Sequence, residues 1–260
     1  MGNGGFYTPF SRQELIPKEE RLEVKLREGS LSIGIPKESH QQEKRISLTP
    51  EAVQVLVANG HEITVESGAG LDANFTDQEY SEAGATISYN SKEVFSKPIV
   101  LKVSPLTDAE IDLLTPNAFL LSTVQINTQK KSYFEKLSAK KVTAIGFEFI
   151  KDSHDQLPVV RLLSEIAGTT SVLLAGELLA NTNGGNGVLM GGIAGVRPTE
   201  IVILGAGTVG EYASRAALGL GANIRVFDES LSRLRRLQTG LGVRVSTSML
   251  DPKELEKSLM

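Results

Sequence analysis

One stretch of this sequence carries residue types at a spacing that can do chemistry. Gly205-Ala-Gly207-Thr-Val-Gly210 follows an apolar run, Glu200 to Leu204, and opens a helical stretch, Glu211 to Leu220. A second apolar run, Asn223 to Phe227, ends in Asp228. The order strand, glycine turn, helix, strand and acid, with the acid about 20 residues past the turn, is the fingerprint of a dinucleotide site. Gly205 permits the tight turn, Gly207 lets the backbone approach a pyrophosphate, and Gly210 lets helix and strand pack closely. At the helix start, around Thr208 and Val209, N–H groups lack intrahelical acceptors and the helix dipole is positive, so both favour phosphate. Asp228 accepts hydrogen bonds from ribose hydroxyls and repels a 2′-phosphate, which points to NAD(H) rather than NADP(H). Arg233, just beyond, either contacts the adenosine or a phosphate or is a solvated helix residue.

The elements that must position this turn are legible upstream as well. Leu31 to Ile35 reads as a strand closed by Pro36. A helix opens at Thr49, a good N-cap followed by Pro50 and Glu51, and is closed by Gly60, with Ala52, Val53, Leu56 and Val57 as its apolar stripe. Strands are expected at Ile63 to Glu66, Ile99 to Val103, Phe119 to Val124 and Val142 to Gly146, with a helix at Lys130 to Leu137. Thr76 with Glu79, and Thr107 with Glu110, fit capping boxes. Ser164 to Leu179 predicts a longer helix that buries Ile166, Ala167, Leu173, Leu174 and Leu178 and suits an interdomain connector. The glycines between Asn183 and Val196 predict a folded-back loop. Past Asp228 come a helix at Ser230 to Leu237, a strand around Val243 to Ser246 and a helix at Asp251 to Leu259. Alternating strands and helices imply an α/β protein with a mostly parallel sheet.

Composition bounds the reading. The 260 residues are 40% hydrophobic, 22% charged and 5% aromatic, enough for two modest cores. A formal charge of −4 gives no reason to expect a nucleic-acid partner. There is no cysteine, which excludes disulfides, thiolate zinc sites and a cysteine nucleophile, and which fits a reducing compartment. The three histidines, His40, His61 and His154, share no ligand spacing, so no metal is expected. No window approaches the roughly 20 apolar residues of a membrane span. Met1 to Phe10 has neither a basic n-region nor an apolar h-region, and Phe6 stands where a myristoylation motif wants Ser or Thr. The expected setting is the cytoplasm.

Five further blocks carry a resemblance. Ile33-Gly-Ile-Pro36-Lys-Glu38, Glu43-Lys-Arg45-Ile-Ser-Leu-Thr49-Pro50, Gly68-Ala-Gly70, Ser164-Glu-Ile-Ala-Gly168 and Gly187-Val-Leu-Met-Gly-Gly192 resemble the alanine dehydrogenase and pyridine nucleotide transhydrogenase family, from about residue 31 onward. The 187–196 stretch looks closer to the alanine dehydrogenase branch. The resemblance implies two α/β domains facing a cleft: a substrate domain, and a Rossmann-type, doubly wound domain that holds NAD. It implies oxidation of L-alanine to pyruvate and ammonia, an amino or keto acid substrate and a homo-oligomer. Arg45 matches the family arginine that clamps the substrate carboxylate, although a surface salt bridge would serve the same residue. Ser164 matches a serine that hydrogen-bonds the cofactor, and it also reads as a helix N-cap.

Two positions depart from the pattern. Alanine dehydrogenases carry Leu-Lys-Val-Lys-Glu-Pro with a substrate-binding second lysine, whereas this chain has Leu101-Lys102-Val103-Ser104-Pro105. The family histidine, a proton-transfer group, falls at Gln125, which cannot act as acid or base near neutral pH. Residues two apart on a strand share a face about 6.6 Å apart, so Lys102 is a candidate for reaching a substrate from one pleat away. The chain accordingly reads as an N-terminal arm (1–30), a substrate domain (31–160) and an NAD-binding domain (161–260) whose sheet stops about halfway. Two alternatives stand beside a dehydrogenase. One is the NAD(H)-binding alpha-subunit-like part of a transhydrogenase, which alone would bring a membrane partner. The other is a non-catalytic NAD(H)-binding relative.

Overall fold

A computed structural model describes residues 29–40 and 42–259 of the chain. The expected arm, including its Leu22 and Leu26 stripe, lies outside these residues. The described residues divide into two compact units, one within 1–120 together with 136–143 and the other within 121–135 together with 144–260.

The first unit is built on β1 (Ser32–Ile35), β2 (Glu62–Glu66), β3 (Thr86–Ser88) and β4 (Ile99–Leu101). The sheet continues through β5 (Phe119–Ser122) and β6 (Thr143–Gly146) in the order β3-β2-β1-β4-β5-β6. β1 pairs in parallel with both β2 and β4. That order reverses direction between β1 and β4, and in doubly wound sheets the carboxyl ends of the strands at such a point form a crevice. The helices start where side chains satisfy their first N–H groups. Thr49 Oγ accepts from Ala52 N at the head of α1 (Pro50–Ala58). Thr76 and Thr107 form complete capping boxes with Glu79 and Glu110 at α2 (Asp77–Glu82) and α4 (Asp108–Leu113). Between them lies α3 (Ser91–Phe95), and α5 (Lys131–Ala139) precedes β6. Ile33, Ile35, Val53, Ile63, Val65 and Tyr80 are core members. The Tyr80 hydroxyl donates to Leu48 O at 2.7 Å, and a Cβ on Gly70 would stand 2.6 Å from its ring.

The second unit holds α6 (Pro158–Leu179) and a parallel sheet of β7 (Glu200–Leu204), β8 (Asn223–Asp228) and β9 (Ser246–Met249), in that order. α7 (Thr208–Gly219), α8 (Leu231–Leu241) and α9 (Pro252–Leu259) complete it. Among the described residues this is one mononucleotide half of a doubly wound sheet.

Four expectations need correction. α6 starts at Pro158, because proline fits the first helical position with its fixed φ and missing N–H. Ser164 is therefore inside the helix, and its hydroxyl donates back to Val160 O at 2.8 Å instead of capping. The stripe expected to be buried is on the open side of α6: Ala167, Ile166, Leu173, Leu174 and Leu178 are exposed, and Gly168 and Val172 are buried. Gly168 decides this, since a Cβ there would stand 2.3 Å from Val209 O, so α6 and α7 touch through backbone. Finally, α6 contains an 18-residue window of mean hydropathy 1.4, so by length and composition alone it is apolar enough to cross a membrane, where no such window was expected.

Candidate functional site

In the second unit the glycine turn joins β7 to α7. Gly205 has φ +103°, a conformation that side chains with a Cβ rarely adopt. A Cβ on Gly210 would stand 1.8 Å from Gly205 O, so helix and strand close onto each other only with glycine there. A Cβ on Gly207 would meet nothing within 4 Å, so the turn opens onto free space at that residue. That space is a cavity of about 600 Å³. Gly205, Gly207, Thr208, Val209 and Gly210 line it along the turn and the first turn of α7. Ser164 lines it from α6, and Asp228 and Arg233 line it from the end of β8 and from α8. The eight residues singled out for a dinucleotide thus share one cavity. A backbone cradle at a helix N-terminus with a carboxylate beyond it has the donor and acceptor set for a pyrophosphate and a ribose.

Asp228 also holds the turn together, a role the sequence reading missed. Its Oδ2 accepts from Ala206 N and its Oδ1 from Ser230 N, each at 2.7 Å, and it is only 6% exposed. These bonds stabilise the charged form: the Ala206 N–H, followed by that of Ser230 and the nearby Arg233 and Arg236, holds its pKa below the ordinary aspartate value against the opposing effect of burial. Arg233 Nη1 lies 3.9 Å from Asp228 Oδ2.

In the first unit a charged cluster sits at the carboxyl ends of β1 and β4. Lys102 is fully buried, with Nζ 2.9 Å from Glu38 Oε2 and 3.7 Å from Glu110 Oε1. Glu38 also accepts from the backbone N–H groups of Val103 and Ser104, and Glu110 from that of Thr107. Lys102, the candidate for reaching a substrate, has its ammonium against two carboxylates, and β4 ends at Leu101, so Lys102 and Ser104 are not on a pleated strand. Past the end of β4 the amides of Val103 and Ser104 donate to the Glu38 carboxylate. Neither carboxylate was singled out from sequence: Glu38 sat in a recognisable block without a stated role, and Glu110 reads as an ordinary capping residue.

Arg45 is half exposed and bound by Glu43. Nε donates to Glu43 Oε1 at 2.7 Å and Nη2 to Oε2 at 2.6 Å. The Ser104 hydroxyl donates to Glu43 Oε2 at 3.3 Å. The Arg45 side chain, first by its hydrogen bonds, holds the Glu43 carboxyl below the ordinary glutamate value. Gln125 belongs to the second unit, exposed and at φ +50°. Glu148 Oε1 accepts from the Val124 and Gln125 amides at 2.7 and 2.8 Å, and its buried Oε2 has no hydrogen-bond partner among the described residues. Among the described residues no group of three His, Asp or Glu side chains is placed to hold a metal ion.

Comparisons with known proteins agree with this layout. The family model "Alanine dehydrogenase/PNT, N-terminal domain" matches residues 34–167, and "Alanine dehydrogenase/PNT, C-terminal domain" matches residues 171–260. An alanine dehydrogenase of Methanococcus maripaludis is 36% identical over 228 residues, covering 87% of this chain and 61% of the relative. One of Staphylococcus epidermidis is 35% identical over 226 residues, with the same coverage of 87% and 61%. A solved L-alanine dehydrogenase superposes with a TM-score of 0.81 at 37% identity, over 88% of this chain and 63% of that one. A transhydrogenase structure from Sinorhizobium meliloti shares the fold, with a TM-score of 0.73 at 22% identity over 87% of this chain and 66% of that one. The chain therefore spans about three fifths of the length of the curated relatives it matches. With both family models matched in order and the glycine turn and charged cluster in place, this chain belongs to the alanine dehydrogenase/PNT family.

Proposed function

We propose that the chain belongs to an NAD-dependent amino-acid dehydrogenase of the alanine type, which converts L-alanine, NAD and water to pyruvate, ammonia and NADH. The observation that carries this is the cavity over the glycine turn, which joins a backbone phosphate cradle to a pinned carboxylate. Gly205, Gly207, Gly210 and the first N–H groups of α7, at Thr208 and Val209, hold the pyrophosphate, Asp228 takes the ribose hydroxyls, and Ser164 and Arg233 border the same space. NAD, when bound, accepts the hydride. Arg45 anchors the carboxylate of the amino or keto acid, for which a planar, permanently charged fork is suited. Lys102 holds Glu38 and Glu110 in place and does not touch the substrate. Domain boundaries near residues 30 and 160, work in the cytoplasm and self-association belong to the same reading. The open apolar face of α6, with Leu162, Ile166, Leu173 and Leu178 all exposed, supports self-association.

A second reading, a relative that binds NAD(H) without turnover, is favoured by one observation. Ser104 and Gln125 stand where the family resemblance implies a lysine and a histidine, and the Ser104 hydroxyl is spent on Glu43. One experiment separates the two: titrate NADH into the chain, then follow NADH formation from L-alanine with saturating NAD at alkaline pH. Binding with turnover is the expected outcome. Binding without turnover selects the second reading, and absence of binding rejects both.

A further inference from the structure

Glu43 grips the Arg45 guanidinium along one edge and leaves another unused. A guanidinium offers a carboxylate two paired sets of N–H donors, the Nε/Nη2 edge and the Nη1/Nη2 edge. Glu43 takes the first, with Nε to Oε1 at 2.7 Å and Nη2 to Oε2 at 2.6 Å. The same Oε1 accepts from the backbone N–H of Arg45 at 3.1 Å, so one carboxylate fixes both the backbone and the side chain of the arginine. Glu43 is itself anchored, since its N–H donates to His40 O at 2.9 Å and the Ser104 hydroxyl reaches its Oε2. The exposures differ in the same sense: the Glu43 side chain is 12% exposed and that of Arg45 is 51% exposed. The acceptor is largely covered and held, and the donor stands half in solvent.

We propose that Glu43 is the positioning residue of the carboxylate anchor, holding Arg45 by its Nε/Nη2 edge so that the Nη1/Nη2 edge is presented in a fixed plane to the carboxylate of an amino or keto acid. This rests on the reading of Arg45 given above. An arginine free to rotate loses side-chain freedom when it closes on a ligand, and one already clamped by Glu43 has lost it in advance. Glu43 also offsets the positive charge of Arg45, so the anchor selects by geometry more than by net charge: a planar two-oxygen group fits the open edge, and an amide of the same size pairs with only half of it. A rival role for Glu43, as an internal carboxylate that competes with the ligand for Arg45, predicts the opposite sign when Glu43 is removed.

The test is calorimetric titration of pyruvate, and separately of its amide, into the NADH-saturated chain, with melting temperatures recorded for every variant. Glu43→Gln keeps size and one acceptor but turns an NH₂ toward Nη2, which breaks the paired grip. The expected result is pyruvate binding weakened about ten-fold, a preference for pyruvate over its amide that falls by a similar factor, and a melting temperature near that of the unaltered chain. Glu43→Ala reads the same quantities if the glutamine variant does not fold. Pyruvate binding as tight as, or tighter than, that of the unaltered chain in either folded Glu43 variant, while Arg45→Ala no longer binds, overturns the positioning role and leaves the anchor standing. No pyruvate binding by the unaltered chain, or full binding by Arg45→Ala, overturns the anchor and the positioning role with it.

Discussion

The glycine turn of the second unit and the charged cluster of the first both lie at the carboxyl ends of parallel strands, but they are made of different material. The turn is backbone: its shape follows from Gly205 at positive φ and from Gly210, where any Cβ would strike Gly205 O. The cluster is side chains: Lys102 and Arg45, with Glu38, Glu43 and Glu110 as their carboxylates. A backbone cradle is specified by the few residues that allow its dihedrals, and so by local sequence. A cluster of charges has many possible pairings, and burial selects among them. The two cations show how sharply it does so, since Lys102 is enclosed between two carboxylates whereas the Arg45 side chain is half exposed.

The comparison breaks most readily at Lys102. Lys102→Met leaves Glu38 and Glu110 without their cation in a buried place, and unfolding in urea followed by circular dichroism is expected to show a loss of about 3–5 kcal/mol. The folded fraction should still bind NADH. A variant of unchanged stability would show that this lysine is not the structural cation described.

Gly210→Ala should give the reverse pattern. Its Cβ cannot coexist with Gly205 O at 1.8 Å, so the turn must open. The stability cost expected for such overpacking is about 1–3 kcal/mol. NADH affinity should fall steeply beside it, as read by fluorescence titration. Normal NADH affinity in this variant would mean that the turn is not the phosphate cradle.

The smallest effect concerns a single buried hydroxyl. Tyr80→Phe removes the donor to Leu48 O and should cost about 1 kcal/mol near neutral pH. Burial, followed by the nearby Glu51 and Glu79, pushes the Tyr80 pKa up to about 12. Since its folded value lies above the ordinary tyrosine value near 10, its contribution to stability is complete below pH 10 and is lost as pH rises through 12. Melting temperatures of the unaltered chain should therefore drop across that interval, and those of Tyr80→Phe should drop less. Equal alkaline slopes would remove Tyr80 from the account.

Local signals carried much of the fold. Thr49, Thr76 and Thr107 cap helices where their spacing to Pro50, Glu79 and Glu110 says they should, because capping is a contact across one turn. Ser164 was misread for a related reason: a serine serves equally as a cap or as a back-bonded residue inside a helix, and Pro158 decided between the two. The short β3 and α3 were missed, since three-residue and five-residue elements have too few positions to show a period. β9 lies past its expected place, because Val243 belongs to the turn that leaves α8 and the strand begins at Ser246. The face of α6 was assigned by hydrophobicity, which puts leucines inside; the close approach through Gly168 put them outside.

By itself, the sequence determined the alternation of strands and helices, the glycine turn and the place of Asp228 beyond it, because each is set by dihedral preference or by spacing within one βαβ unit. Tertiary structure decided which charges meet: that Glu38 and Glu110 enclose Lys102, that Glu43 holds Arg45 along one edge, and that Asp228 pins Ala206 as well as facing the cavity. The physical reason is range. A backbone dihedral is a property of one residue and its neighbours, whereas a charge buried in a medium of low polarity must find a partner, and only the packed fold brings residues as distant as 38 and 102 within 2.9 Å of each other.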